Sequence, residues 1–152
     1  PECHPPAMKH RSRMHYYLAD REARQTDPDA YALLLDLAGN ITETSAANFL
    51  LVKDGMLISP TPRNILPGIS RAVTRSLGEK MGIGFTERDL TVAEALTVDE
   101  ALLTSTPFCL MPVTRINGIP IGSGEPGPTF QRLMQAWSDA VVLDVLAQIT
   151  GA

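Results

Sequence analysis

The chain is short of most residues that would narrow its function quickly. It has two cysteines in 152 residues, Cys3 and Cys109, too few and too far apart for a disulfide-stapled scaffold, so reduced thiols are expected. Positive charge is not in excess: 13 Lys and Arg stand against 17 Asp and Glu, for a net charge of -4. The arginines are scattered, so no basic face for nucleic acid is expected. No apolar run approaches the ~18 residues of a membrane span. The opening PECHPPAMKH lacks the apolar stretch of a signal peptide, which points to a cytoplasmic protein that does not bind membranes. Cys3, His4, His10 and His15 fit no standard metal-ligand spacing, so no metal site is expected. Internal repeats are absent. Gly118, Gly122, Gly124 and Gly127 do not have the GxGxxG spacing of a dinucleotide fingerprint, and no strand-turn-helix pattern frames them.

What is there is enough for one good core. The chain is 44% hydrophobic, within the range of ordinary globular domains, and is read as a single domain over residues 1–152. There is no initiator Met, and Pro1 to Pro6 read like a linker entering a domain, so the chain is expected to be part of something larger.

Periodicity predicts a helix from Ser12 to Gln25, with Ser12 as its cap and Met14, Tyr17 and Leu18 on one face. Tyr31 to Leu37 reads as a strand. Asn48 to Val52 and Met56 to Ser59 form a hairpin around Lys53-Asp54-Gly55, because Asp-Gly suits a tight primed turn. Glu43 falls in the loop before that hairpin. A second helix is expected from Gly68 to Met81, with Ile69, Val73 and Leu77 on one face and Gly82 as its stop. Then follow a strand from Phe85 to Leu90, a short helix from Val92 to Leu96, strands from Ala101 to Thr104 and from Cys109 to Ile116, and a last helix from Thr129 to Ile149. Strands outnumber helices, so the fold class is α+β, a mixed sheet or partial barrel flanked by helices.

Chemistry concentrates in a few positions. Leu66-Pro67-Gly68-Ile69-Ser70-Arg71 is a tight turn opening a helix, which aims free backbone N–H groups and a hydroxyl at an anion. Glu43 lies upstream among apolar and small polar neighbours; its alternative reading is an ordinary loop carboxylate bonded to local backbone. Of the three lysines, Lys53 sits in the hairpin turn and Lys80 near a helix end, where a cation suits the dipole. Lys9 precedes a helix near Met8 and Met14, the setting of a Schiff-base amine. On spacing alone the surface-lysine reading of Lys9 prevails, and Ser105-Thr106 could be a plain turn.

Taken together, Lys9 in MKHRSR, Glu43 in ITETSAANFLLVKDG, LPGISR at 66–71, VDEALLTSTPFCLMPV at 98–113 and IPIGSGEPGP at 119–128 resemble the large C-terminal domain of class IV (fold-type IV) pyridoxal-phosphate aminotransferases. That family includes branched-chain and D-amino-acid aminotransferases and aminodeoxychorismate lyase. The resemblance covers nearly the whole chain, and its Glu-x-x-x-x-Asn and LPGISR motifs are specific. It implies pyridoxal 5'-phosphate as cofactor, an amino acid and a 2-oxo acid as substrates, and a homodimer. It further implies that Lys9 forms the internal aldimine and later shuttles the proton at the substrate Cα. Glu43 would pair with the pyridine nitrogen, and Ile69, Ser70 and Thr106 would bind the phosphate.

Three departures from the family pattern are visible. Arg13 falls where branched-chain enzymes carry a tyrosine against the cofactor, and Lys9-His10-x-x-Arg13 looks like the lyase branch. Pro107 follows Thr106 at the place where a backbone N–H usually meets the substrate carboxylate, and proline has none. The family's smaller N-terminal domain does not correspond to any part of this sequence, so an open cleft with weak cofactor binding is expected. Amino-group transfer is the leading expectation. Elimination of the aminodeoxychorismate-lyase type and an inactive fragment are the alternatives.

Overall fold

The computed structural model describes residues 5–151, so Cys3 and His4 lie outside the described residues. Helix α1 (Met14–Thr26) comes first, then strands β1 (Leu33–Leu35), β2 (Ile41–Thr44), β3 (Asn48–Lys53) and β4 (Met56–Ser59). A 3₁₀ turn at Pro62–Asn64 leads to α2 (Ile69–Lys80). After it come β5 (Gly84–Glu87), α3 (Val92–Ala95), β6 (Glu100–Ser105), β7 (Cys109–Val113), the small hairpin β8 (Arg115–Ile116) and β9 (Ile119–Pro120), α4 (Pro128–Val141) and α5 (Val145–Thr150).

Strand β3 organises the seven-stranded sheet. Its residues alternate between two apolar clusters: Phe49 and Leu51 join Ile41, Ile58, Leu90 and Leu103 on one face. Leu50 and Val52 join Leu57, Leu77, Leu102, Leu133 and Trp137 on the other, under α2 and α4. A strand buried on both faces must be apolar throughout, and the run from Phe49 to Val52 is. Strand β6 runs antiparallel along β3 from Asn48↔Thr104 to Val52↔Glu100. Strand β2 meets β3 only at Glu43↔Asn48, while β4 pairs with it from Leu51 to Lys53. A strand has two edges and β6 fills one, so β2 and β4 share the other and part after Asn48. The mixed character comes from β5, which lies parallel to β4.

Several sequence expectations need correction. Ser12 is not the cap of α1: the helix starts at Met14 behind Arg13, without a side-chain cap, and buries no residue. Met14, Tyr17 and Leu18 are exposed. Strand β1 is cut to three residues because the Asp36 carboxylate accepts from the N–H groups of Ala38 and Asn40, both at 2.9 Å, and turns the chain. Glu43 stands in a strand rather than a loop. The segment expected from Phe85 to Leu90 is shorter and starts at Gly84. The run from Cys109 to Ile116 is divided between β7 and β8. The last helix is two, because Val142 takes a left-handed conformation at φ 54° and Asp144 caps a new start by accepting from the Ala147 N–H at 2.9 Å. Asp54 and Gly55, with φ of 49° and 73°, make the primed hairpin turn as expected.

Candidate functional site

Where β2 and β4 part, the chain opens a cleft of about 320 Å³. Its walls are the segment 6–16, the turn 44–48, the start of α2 and the end of β6. Cross-strand pairing puts Glu43 beside Asn48, and Asn48 beside Thr104, so three polar side chains sit at one end of the sheet. All three are buried. The Asn48 amide donates to Glu43 Oε2 at 2.8 Å and to the Leu66 carbonyl at 2.9 Å. The Leu66 N–H donates to the same carboxylate oxygen at 3.0 Å. One asparagine thus ties the carboxylate to the turn that starts α2.

That turn depends on a glycine. A Cβ on Gly68 would lie 2.0 Å from Asn48 Oδ1, so no side chain fits while Asn48 keeps its place. Gly68 is the cap residue of α2 and no side chain caps the helix, leaving its first N–H groups open toward the cleft. Ser70 is buried and Ile69 is 79% exposed. The expected apolar face of α2 therefore holds at Leu77 but not at Ile69. Behind the turn, Arg71 Nε donates to Ser59 Oγ at 2.8 Å and its guanidinium pairs with Glu87. The opposite wall is fixed by Thr44, whose Oγ1 accepts from the Ala47 N–H at 3.0 Å, and by Ser105, whose hydroxyl donates to the Ala46 carbonyl at 2.7 Å. Small side chains at Ser45, Ala46 and Ala47 keep the space open.

Lys9, Arg13, Glu43, Ile69, Ser70 and Thr106 all line this one cleft; Pro107 does not. Lys9 is exposed, as are Met8 and Met14, so its amine does not sit in the apolar setting expected from the sequence. The Arg13 guanidinium donates to the Ser45 carbonyl and lies 5.1 Å from the centre of the Tyr16 ring. Tyr16 lines the same cleft as Glu43. Burial pushes the Glu43 carboxyl above its usual range, against the Leu66 N–H, the Tyr16 hydroxyl, the Arg13 charge and the Asn48 amide. The Tyr16 phenol is raised as well, by burial first and by the Glu43 charge second.

Two participants escape sequence reasoning. Helical spacing favours Met14, Tyr17 and Leu18 as the inner face, which leaves Tyr16 without a signal. The orphaned hydroxyl of Thr104, buried without a hydrogen-bond partner, has no sequence signal either. The bridging role of Asn48 does have one: residues five apart across a tight turn between strands can pair directly. Among the described residues no cluster of His, Cys, Asp and Glu could hold a metal ion, and no helix is long and apolar enough to cross a membrane.

Comparison with known proteins identifies the family and the fold. The family profile described as "Amino-transferase class IV" matches residues 1–116. A probable branched-chain-amino-acid aminotransferase of Thermotoga maritima is 37% identical over 140 residues, covering 91% of this chain and 50% of that protein. A branched-chain amino acid aminotransferase of Escherichia coli superposes with a TM-score of 0.86 at 31% identity, over 91% of this chain and 46% of that one. Another branched-chain amino acid aminotransferase, solved with pyridoxamine 5'-phosphate, gives 0.82 at 28% identity, over 99% and 47%. The 4-amino-4-deoxychorismate lyase of Pseudomonas aeruginosa gives 0.78 at 29% identity, over 91% and 50%. The chain spans from 23% to 50% of the length of the curated relatives it matches.

Proposed function

This chain belongs to the class IV aminotransferase family, and on that premise we propose that its cleft binds pyridoxal 5'-phosphate and serves amino-group transfer between an amino acid and a 2-oxo acid. The observation that carries the reading is the shared cleft: Lys9, the buried carboxylate of Glu43 and the uncapped start of α2 all line it.

The residues fit the cofactor. A carboxylate has about four lone-pair sites; Asn48 and Leu66 both donate to Glu43 Oε2, which leaves Oε1 for a protonated ring nitrogen. The open N–H groups of Ile69 and Ser70, with the Thr106 hydroxyl, suit a phosphate at a helix start. The buried, unpartnered Thr104 hydroxyl marks the same wall as built for a polar occupant. When bound, the cofactor supplies a ring that accepts electrons from the substrate Cα.

The remaining chemistry falls to the chain. Glu43 holds a proton at the ring nitrogen. Lys9 would hold the cofactor through its amine and, when freed, would move the proton at the substrate Cα. The α2 dipole and N–H groups balance the phosphate charge. Arg13 keeps a positive charge at the rim, anchored on Ser45. Thr106 is the substrate-side hydroxyl; Pro107, lacking an N–H, cannot donate to a substrate carboxylate.

That proline and the Lys9-His10-x-x-Arg13 sequence favour a second reading, elimination as in the lyase relative. A homodimer, a cytoplasmic location and a further N-terminal domain belong to the same family-based reading. The test is a half-reaction on the cofactor-loaded protein. Conversion of the bound cofactor's absorbance to that of the pyridoxamine form by an amino acid is expected. Pyruvate released from aminodeoxychorismate would favour the lyase instead, and the absence of both signals would mean that this chain is inactive by itself.

A further inference from the structure

Arg71 stands where a cation is disfavoured. It is the third residue of α2, and a positive charge in the first turn of a helix opposes the helix dipole. It is also buried, which costs a charged group its water. Its contacts account for the position. Nε donates to Ser59 Oγ at 2.8 Å, the guanidinium pairs with Glu87, and it lies 5.4 Å from the centre of the Phe85 ring. Ser59 and Glu87 are register partners at the ends of the parallel strands β4 and β5, and Phe85, two residues before Glu87, shares its face of the sheet. We infer that Arg71 is a positioning residue for the anion site: it clamps the first turn of α2 to the ends of β4 and β5, and so holds the N–H groups of Ile69 and Ser70 open toward the cleft.

The clamp completes a mounting with two sides. From β2 and β3, Asn48 donates to the Leu66 carbonyl and Glu43 accepts from the Leu66 N–H. Those bonds end at Leu66, before the helix begins. The helix start has no side-chain cap, so nothing within α2 itself keeps its first turn from fraying. The turn also bridges β2 and β4, which pair with β3 and not with each other. Arg71 supplies the link on the β4 side. Only a planar guanidinium suits the place: it meets a hydroxyl and a carboxylate through separate N–H groups while its face lies on an aromatic ring, which the point charge of a lysine cannot do. Arg75 shares the Phe85 ring at 4.9 Å but pairs with Glu79 on its own helix, so it does not join α2 to the strand ends. The functional meaning rests on the reading of the α2 start as the phosphate site; the clamp itself does not.

The experiment keeps the two separable. The full chain, native and Arg71→Lys, is titrated with pyridoxal phosphate and with pyridoxal, which lacks the phosphate. In the apo form, amide hydrogen exchange is followed at Ala72, whose N–H donates to the Gly68 carbonyl at 3.1 Å, and at Leu77 farther along α2. Arg71→Lys is expected to bind pyridoxal phosphate about tenfold more weakly, the equivalent of one charge-assisted hydrogen bond, and pyridoxal within about twofold of native. Exchange at Ala72 should be about tenfold faster, with Leu77 unchanged. Equal losses for both ligands, or exchange at Ala72 that does not move, overturns the inference. If Arg71→Lys does not fold, Ser59→Ala and Glu87→Gln each remove one partner of the clamp and should move both readouts the same way by smaller factors; no movement in either variant overturns it too. A native chain that binds neither ligand overturns the proposed function and leaves exchange at Ala72 to decide the clamp.

Discussion

Glu43 carries two opposed demands. It is buried beneath the cleft, and its carboxyl is raised above the usual range mainly by desolvation. A raised value means that the folded chain holds the proton more tightly than the unfolded chain. The stabilising contribution is then full below the unfolded carboxylate range and is lost as pH rises through the raised value. Glu43→Gln removes that dependence. We expect the apo variant to have a urea midpoint equal to or above the native one at pH 7, with the difference gone by about pH 4, while pyridoxal phosphate affinity falls at least about tenfold, or ~1.4 kcal/mol. A lower midpoint at pH 7 would mean that the charged form stabilises the fold. The importance of Glu43 is legible from its place before LPGISR. Its strand, and the tyrosine that joins it in the cleft, are not. Tyr16 reaches that cleft from α1, 27 positions away, and helical spacing assigns it to the outer side.

At the scale of elements, the start of α2 is the most constrained piece of the site. Gly68 leaves room for Asn48, which bonds both Glu43 and the Leu66 carbonyl. Gly68→Ala must displace that amide, and we expect a loss of about 1–3 kcal/mol in urea unfolding together with weaker cofactor binding. A native-like midpoint would show that Asn48 can move without cost. The helix itself is readable from its apolar period and from Gly82. The two-part C-terminal helix is not, because Leu133, Trp137, Val141 and Val145 continue a single period across the break. The local signal that ends it is Asp144, an N-cap residue inside an apolar run. Nor could sequence reveal that α4 is held at its start by a distant carboxylate: Glu100 accepts from the N–H groups of Thr129 at 2.7 Å and Phe130 at 2.9 Å.

At the scale of the whole molecule, the mixed sheet and its helices reproduce those of class IV aminotransferases, and the cleft at the fork of the sheet gathers most of the positions that the resemblance singles out. What remains illegible follows from length: the chain corresponds to half or less of the curated relatives it matches, and Lys9 stands exposed at the mouth of its cleft. Cofactor attachment depends on that lysine. The most direct test is to add one equivalent of pyridoxal phosphate, fix the adduct with borohydride, and locate the modified peptide by mass spectrometry. The label is expected on Lys9, with little on Lys53, which is paired with Asp99, or on Lys80. Label spread evenly over the three lysines, or absent from Lys9, would contradict it.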